Sequence, residues 1–221
     1  MTESWNNRIL NIYKPVGITS YSVVRQIKNL TGLKKVGHGG TLDPFAEGVL
    51  LILTGQSTKK MRDILELSKS YEAILVLGES TQTGDNTAEV NCRKEVPEIT
   101  SGMLQDVKSK FMGEILQVPP MYSAKKIDGK RLYKYARSGI TVQREPVKIK
   151  IYDFDLSLIS SSEIEIKVTC SKGTYIRVLG EDIAKLLGTV GHLRYLKRTC
   201  IGNYSADDSL KLDAVFPRAE S

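Results

Sequence analysis

The sequence predicts an α+β fold, a mixed and mainly antiparallel sheet flanked by helices, and three observations predict it. Strand-length apolar runs alternate with segments of helical period, but without the regular strand–helix–strand succession of a parallel sheet. Two stretches late in the chain, Val147–Leu158 and Ile164–Cys170, alternate apolar and polar residues as an antiparallel pair with one wet face does. No internal repeat and no low-complexity linker interrupts the pattern. With 221 residues, 41% of them hydrophobic, the chain can bury a full core as one large domain or two small ones. The reading is a single domain over 1–221 with an arm inserted at about 120–146.

In chain order, Arg8–Tyr13 reads as a strand closed by Lys14-Pro15-Val16-Gly17. Thr19 or Ser20 can cap a helix whose apolar face is Val23, Val24, Ile27 and Leu30, and Gly32 ends it. Val49–Leu53, five apolar residues, has the length of a buried strand. A helix through Met61, Ile64 and Leu65 follows, then a strand over Tyr71–Leu77 and a polar loop over Thr81–Asp85. Met103, Leu104, Val107 and Phe111 share one helical face. Gly113–Val118 is a strand cut short by Pro119-Pro120, and a helix is expected over Lys130–Ser138.

Val147, Ile149 and Ile151 alternate on odd positions, whereas Phe154, Leu156 and Leu158 alternate on even ones. Such a parity switch requires a bulge or bend. Ser171-Lys172-Gly173 turns into a helix with Ile176, Leu179, Ile183 and Leu186 inward, and a strand near Leu193–Tyr204 and a short helix near Leu210 close the chain.

Composition narrows the function classes. No run approaches the roughly eighteen apolar residues of a membrane span, and the N-terminus lacks the apolar core of a signal peptide. Cys92, Cys170 and Cys200 are odd in number, far apart and never paired as C-x-x-C, which points to reduced thiols in the cytoplasm and away from disulfides or structural zinc. The two histidines, His38 and His192, are distant in sequence, so no metal is expected.

The net charge of +7 lies in one window. Between Lys125 and Lys150 nine basic residues, among them Lys130, Arg131 and Lys134, face only Asp128 and Glu145. With Tyr133 and Tyr135 inside it, this window reads as a polyanion contact, a nucleic acid rather than a membrane, since no amphipathic helix there has a broad apolar face.

Asp43 sits among Gly37, Gly39, Gly40 and Gly48, ahead of Pro44 and the buried run. Turn formers make an ordinary turn one reading of this loop. A phosphate loop is the other, but position 42 is Leu where G-x-G-x-x-G needs glycine, and no G-K-[ST] follows.

Five ordered motifs together resemble the bacterial tRNA pseudouridine synthase B family. They are Y-K-P-V-G-I-T-S (Tyr13–Ser20), V-G-H-G-G-T-L-D-P-F-A-E-G-V-L (Val36–Leu50), S-Y-E-A-I-L-V-L-G (Ser70–Gly78), Q-V-P-P-M-Y-S-A-K-K (Gln117–Lys126) and C-S-K-G-T-Y-I-R (Cys170–Arg177). The likeness spans about Ile9 to Ile201. The wider family includes the catalytic subunit of guide-RNA machines, and F-A-E-G-V-L is closer to the bacterial branch. Two features depart from the pattern. The sequence stops at Ser221, too early for the family's small C-terminal RNA-binding domain, and Ala88 replaces the glycine that usually follows the T-x-T-x-D aspartate by three residues.

The resemblance implies a cofactor-free isomerase that converts the T-loop uridine of tRNA, position 55, to pseudouridine, acting as a monomer on the T arm. It implies Asp43 as the catalytic carboxylate, attacking either C6 of the base or C1′ of the ribose. Arg177 would keep Asp43 ionised, Tyr71 would stack on the base and take the C5 proton, Leu196 would line the pocket, and His38 would hold the T loop around the flipped uridine. Lys14, Tyr175, Lys130 and Arg131 complete the expected substrate-binding set. By spacing alone, Arg177 is an i,i+4 partner of Glu181, Tyr71 a strand tyrosine and Leu196 a core leucine. A tRNA-binding protein without chemistry and a nucleotide-dependent enzyme are the rival classes.

Overall fold

The apolar run around Leu51 becomes the interior of a strand, Glu47–Thr54, buried at every residue from Gly48 on. A computed structural model describes residues 5–127 and 129–212. They form two compact units, one within Met1–Glu72 and Leu196–Ser221 and one within Ala73–Tyr195.

In the first unit β1 (Ile9–Lys14) and β2 (Val36–His38) both pair antiparallel with β3 (Glu47–Thr54), Ile12 opposite Leu50 and His38 opposite Ile52. The α1 helix (Ser20–Thr31) is capped by Thr19, whose side chain accepts the Ser22 N–H, and ends at Gly32 in the left-handed conformation. Leu50 and Ile52 pack with Ile12, Val23, Val24 and Ile27. Val49, Leu51 and Leu53 point the other way, toward Ile64 of α2 (Met61–Glu66) and toward Ile201 and Ala206. Because both faces of β3 are covered, its sequence is a continuous apolar run rather than an alternation. Leu30, expected on the inner face of α1, is 48% exposed, since that face ends at Ile27 and Thr31.

The chain leaves this unit along β4 (Lys69–Leu77) and re-enters it along β12 (Gly191–Ile201). The returning end of β12 runs parallel to β3, Lys197 opposite Glu47 and Arg198 opposite Gly48, and then turns into β13 (Tyr204–Ser205). The helix expected near Leu210 falls partly outside the described residues. Leu210–Lys211 itself is a short strand, β14, parallel to β1.

In the second unit the strand order is β4, β11 (Glu163–Cys170), β10 (Val147–Ser160), β7 (Gly113–Gln117), with a separate hairpin of β5 (Glu79–Thr81) and β6 (Val90–Arg93). The β10–β11 register shifts between Ile151 and Asp153. That shift puts Ile149, Ile151 and Phe154 on the same buried side, as the parity switch requires. Past Leu156 the strand outruns its core, so Leu158 is 43% exposed despite its place in the alternation. The α3 helix (Ser101–Phe111) lies on β10, with Phe111 edge-on to Phe154 at 6.3 Å.

The basic window carries β8 (Lys126–Ile127), β9 (Lys130–Arg131) and α4 (Leu132–Arg137), anchored by the fully buried Leu132. In α5 (Ile176–Leu186), Ile176, Leu179 and Ile183 are buried as expected, but Leu186 is 38% exposed. The helix ends there, and Leu187, 2% exposed, takes the core position instead.

Candidate active site

The segment between β2 and β3 is held from several directions, all within the first unit. Gly39 donates its N–H to the Leu51 carbonyl at 2.8 Å, and Gly40 then turns the chain at φ +119°, a conformation that side chains rarely adopt. The guanidinium of Arg198, 1% exposed, donates to the carbonyls of Gly40 (3.2 Å), Thr41 (3.3 Å) and, through Nε, Val49 (2.8 Å). The Ser20 hydroxyl accepts the Leu42 N–H at 2.8 Å and donates to the Leu42 carbonyl at 3.0 Å. Ala46 donates to the Asp43 carbonyl at 3.1 Å, and Gly17 to that of Pro44 at 2.8 Å. With Leu42, Phe45 and Ala46 buried around it, Asp43 remains half-buried at the protein surface.

Gly48 is required here by its neighbour. A Cβ on it would stand 2.2 Å from the Arg198 carbonyl oxygen, and its φ is +106°. Only glycine therefore lets β12 come close enough for Arg198 to reach back to the loop.

Lys14 is completely buried, its ammonium donating to the carbonyls of Pro15 (2.8 Å) and Ile18 (2.9 Å). Burial pushes its pKa down to about 8; the Asp43 carboxylate opposes that fall, and the Arg198 charge adds to it. The neighbouring Tyr13 hydroxyl bonds to Glu47, and its pKa is pushed up to about 12, chiefly by burial.

A pH dependence of stability follows from Lys14. Between about 8 and 10.5 the unfolded chain holds this proton and the folded chain does not, so stability rises with pH in that window. Urea unfolding at pH 8, 9 and 10 should show wild type gaining on Lys14→Met, by at most about 1.4 kcal/mol per pH unit. A constant difference between the two would show that the folded lysine keeps its proton.

In the second unit Arg177, near the start of α5, is 4% exposed. It donates to the carbonyls of Thr83 and of Tyr122 (2.8 Å) and forms an ion pair with Asp85 at 3.8 Å. Asp85 is itself buried and accepts from the Thr83 hydroxyl (2.7 Å) and the Thr87 N–H (3.0 Å). Asp85, from the T-Q-T-G-D loop, is thus a carboxylate in ion-pair contact with Arg177. Burial raises the Glu181 pKa, and the Arg177 charge opposes that rise. Tyr175 is held by the buried Gln117 amide, which accepts its N–H at 2.8 Å and donates to its carbonyl at 3.1 Å. Lys130 and Arg131 lie exposed on β9, with the Lys130 ammonium 4.4 Å from the Tyr135 ring centre.

The predicted residues therefore divide between the units. Asp43, Lys14, His38 (on β2), Tyr71 (half-buried on β4) and Leu196 (4% exposed on β12) belong to the first. Arg177, Tyr175, Lys130 and Arg131 belong to the second.

Residues 28–176, which include the Asp43 loop, Tyr71, the Asp85 loop and the basic arm, match the family described as TruB family pseudouridylate synthase (N terminal domain). The chain belongs to the TruB family. Over 209 residues it is 44% identical to the tRNA pseudouridine synthase B of Psychrobacter cryohalolentis, covering 92% of this chain and 58% of that one. It is equally similar to the enzyme of the same name from Bordetella avium, covering 94% and 86%. Among solved structures, a chain of a Cbf5–Nop10–Gar1 complex superimposes with a TM-score of 0.74 at 28% identity, over 96% of this chain and 54% of that one.

In this TruB-family chain the sequence reading missed four residues that organise the two loops: Ser20, Asp85, Gln117 and Arg198. Asp85 left a signal in the alternation of Thr81, Thr83 and Asp85, which puts three short polar side chains at every second position. Ser20 was visible only as a cap, a task that Thr19 performs. Arg198 carried no local signal, because its partners lie roughly 150 residues upstream.

Proposed function

We propose that this chain is a tRNA pseudouridine(55) synthase, an isomerase that acts on the flipped T-loop uridine with Asp43 as its catalytic carboxylate and no cofactor. The observation that carries the reading is the Asp43 loop, a carboxylate at the surface on a backbone held at every carbonyl from Gly40 to Pro44. The 44% identity to proteins named tRNA pseudouridine synthase B supports it.

The reaction breaks the bond from N1 of the base to C1′, turns the base, joins C5 to C1′, and releases the C5 proton while N1 takes one up, so that product and substrate are isomers. It has no redox or phosphoryl-transfer step. What it needs is a positioned carboxylate to carry the covalent intermediate or assist cleavage, a platform for the base, and a base for the proton. Asp43 takes the first role. Tyr71 stacks on the uracil and accepts the C5 proton, and Leu196 lines the base pocket. Arg177 is the arginine of this reading, held by hydrogen bonds to the Thr83 and Tyr122 carbonyls and by its ion pair with Asp85. His38 holds the T loop once the uridine is out, which the chemistry requires because a stacked base hides its reacting atoms. Lys14, Tyr175, Lys130 and Arg131 complete the substrate contacts, and the protein acts as a cytoplasmic monomer.

The deciding experiment is tritium release from tRNA labelled at uridine C5, since only the isomerase replaces that hydrogen with a glycosidic bond. One equivalent released per tRNA is expected. Tight tRNA binding with no release would leave a binding protein.

The arm has its own test. Replacing Lys130, Arg131 and Lys134 with Ala should flatten the salt dependence of log K by roughly one to three units, about 0.7–0.9 for each phosphate that the variant no longer neutralises. Single-turnover chemistry at saturating tRNA should stay near the wild-type rate. A mutant slope equal to wild type would make the arm a merely solvated face.

A further inference from the structure

Five consecutive carbonyls, Gly40 to Pro44, accept hydrogen bonds, and side chains supply three of those bonds. A peptide unit is planar, so fixing a carbonyl also fixes the N–H of the next residue, and only two torsions per residue remain. Arg198 fixes the units that begin at Gly40 and Thr41, and Ser20 holds the Thr41 unit a second time through the Leu42 N–H and fixes the one that begins at Leu42 through its carbonyl. The Cα of Asp43 is the next atom along.

Arginine suits this task. Its guanidinium is a rigid fork of five donors, and three of its nitrogens are in use at once. Lysine has its donors on a single atom and cannot reproduce that spread. A buried cation is costly, and an apolar side chain of similar volume often serves stability as well or better. Here the charge is turned onto carbonyls of the loop, and the chain keeps glycine at position 48 so that the strand bearing it can approach.

We propose that Arg198 is a positioning residue. Acting through the carbonyls of Gly40, Thr41 and Val49, with Ser20 as the second hold, it keeps the Asp43 carboxylate where it must meet the uridine. The inference rests on the reading of Asp43 given above, and it adds a specific mechanical task for a residue that touches no substrate.

The test uses the full chain with Arg198→Lys and Ser20→Ala, and two readouts. The first is single-turnover tritium release at saturating tRNA, measured beside tRNA affinity. The second is amide hydrogen exchange, comparing residues 39–46 with α1 as an internal standard. Arg198→Lys should lower the rate about 100-fold, the scale of an ångström of misplacement, with affinity within about twofold of wild type. Exchange in 39–46 should accelerate while α1 keeps its protection. Ser20→Ala should change both readouts in the same direction and by less, because only the two bonds at Leu42 are released and Arg198 still holds the Thr41 carbonyl.

Unchanged exchange in 39–46 would overturn the proposal. So would a rate that falls only in step with affinity and with exchange throughout the unit, the pattern of a purely structural residue. If Arg198→Lys does not fold, Ser20→Ala decides by the same two readouts. If wild type itself releases no tritium, the pseudouridine reading is what has failed, and the exchange comparison still judges whether Arg198 holds the loop.

Discussion

Asp43→Asn should abolish turnover while leaving tRNA binding almost unchanged. The substitution preserves the volume and one acceptor oxygen but removes the negative charge that nucleophilic attack or support of a cationic ribose requires. Removal of a covalent nucleophile costs on the order of 10⁶-fold in other enzymes, and a similar fall in tritium release is expected here. Affinity should stay within about twofold, because phosphate and sugar contacts set the register of the RNA and none depends on this carboxylate. The loop should keep its shape, since the hydrogen bonds to its carbonyls from Gly40 to Pro44 come from the backbone and from Ser20 and Arg198. Release within tenfold of the wild-type rate would remove Asp43 from the chemistry.

Tyr71→Phe separates the two tasks proposed for this side chain and carries the next largest effect. The ring remains for stacking, so tRNA affinity should hold. The hydroxyl goes, and with it a general base that is typically worth about 10²–10⁴-fold. Because the C5 proton leaves after the base has reattached, the variant should also accumulate the rearranged, still-protonated intermediate. Rapid quench of a single turnover would then show glycosidic cleavage ahead of tritium release. A variant that releases tritium at the wild-type rate would leave Tyr71 with the stacking role alone.

Much of the fold was legible because its signals are local. The parity switch between Ile151 and Phe154 is a count of residues, and the register shift that answers it follows from the period of a strand. Thr19 and Gly32 bound α1 through bonds that span three or four residues. The misses share one cause, which is that packing against distant chain overrides local pattern. Leu30 and Leu186 have the right spacing for an inner face but lie where the core has already ended, and Leu187 fills the place that Leu186 was expected to take. β2, β5 and β6 are only three or four residues long and carry little periodicity; pairing with other segments makes them strands.

The candidate site was legible by motif. By their own chemistry Tyr71 and Leu196 read as ordinary strand and core residues, and Arg177 as a partner for Glu181. By itself the sequence determined the family, the glycine-rich setting of Asp43, the concentration of positive charge between Lys125 and Lys150 and the type of most elements, since each is written in neighbouring residues. Tertiary structure alone decided which cations serve which groups. Arg198 reaches Gly40 and Thr41 across more than 150 residues, Arg177 reaches Asp85, and Lys14 is buried deeply enough for its pKa to fall to about 8. A long side chain carries its donors far from its own backbone, so its partner depends on what folding brings near, and no spacing along the chain encodes that.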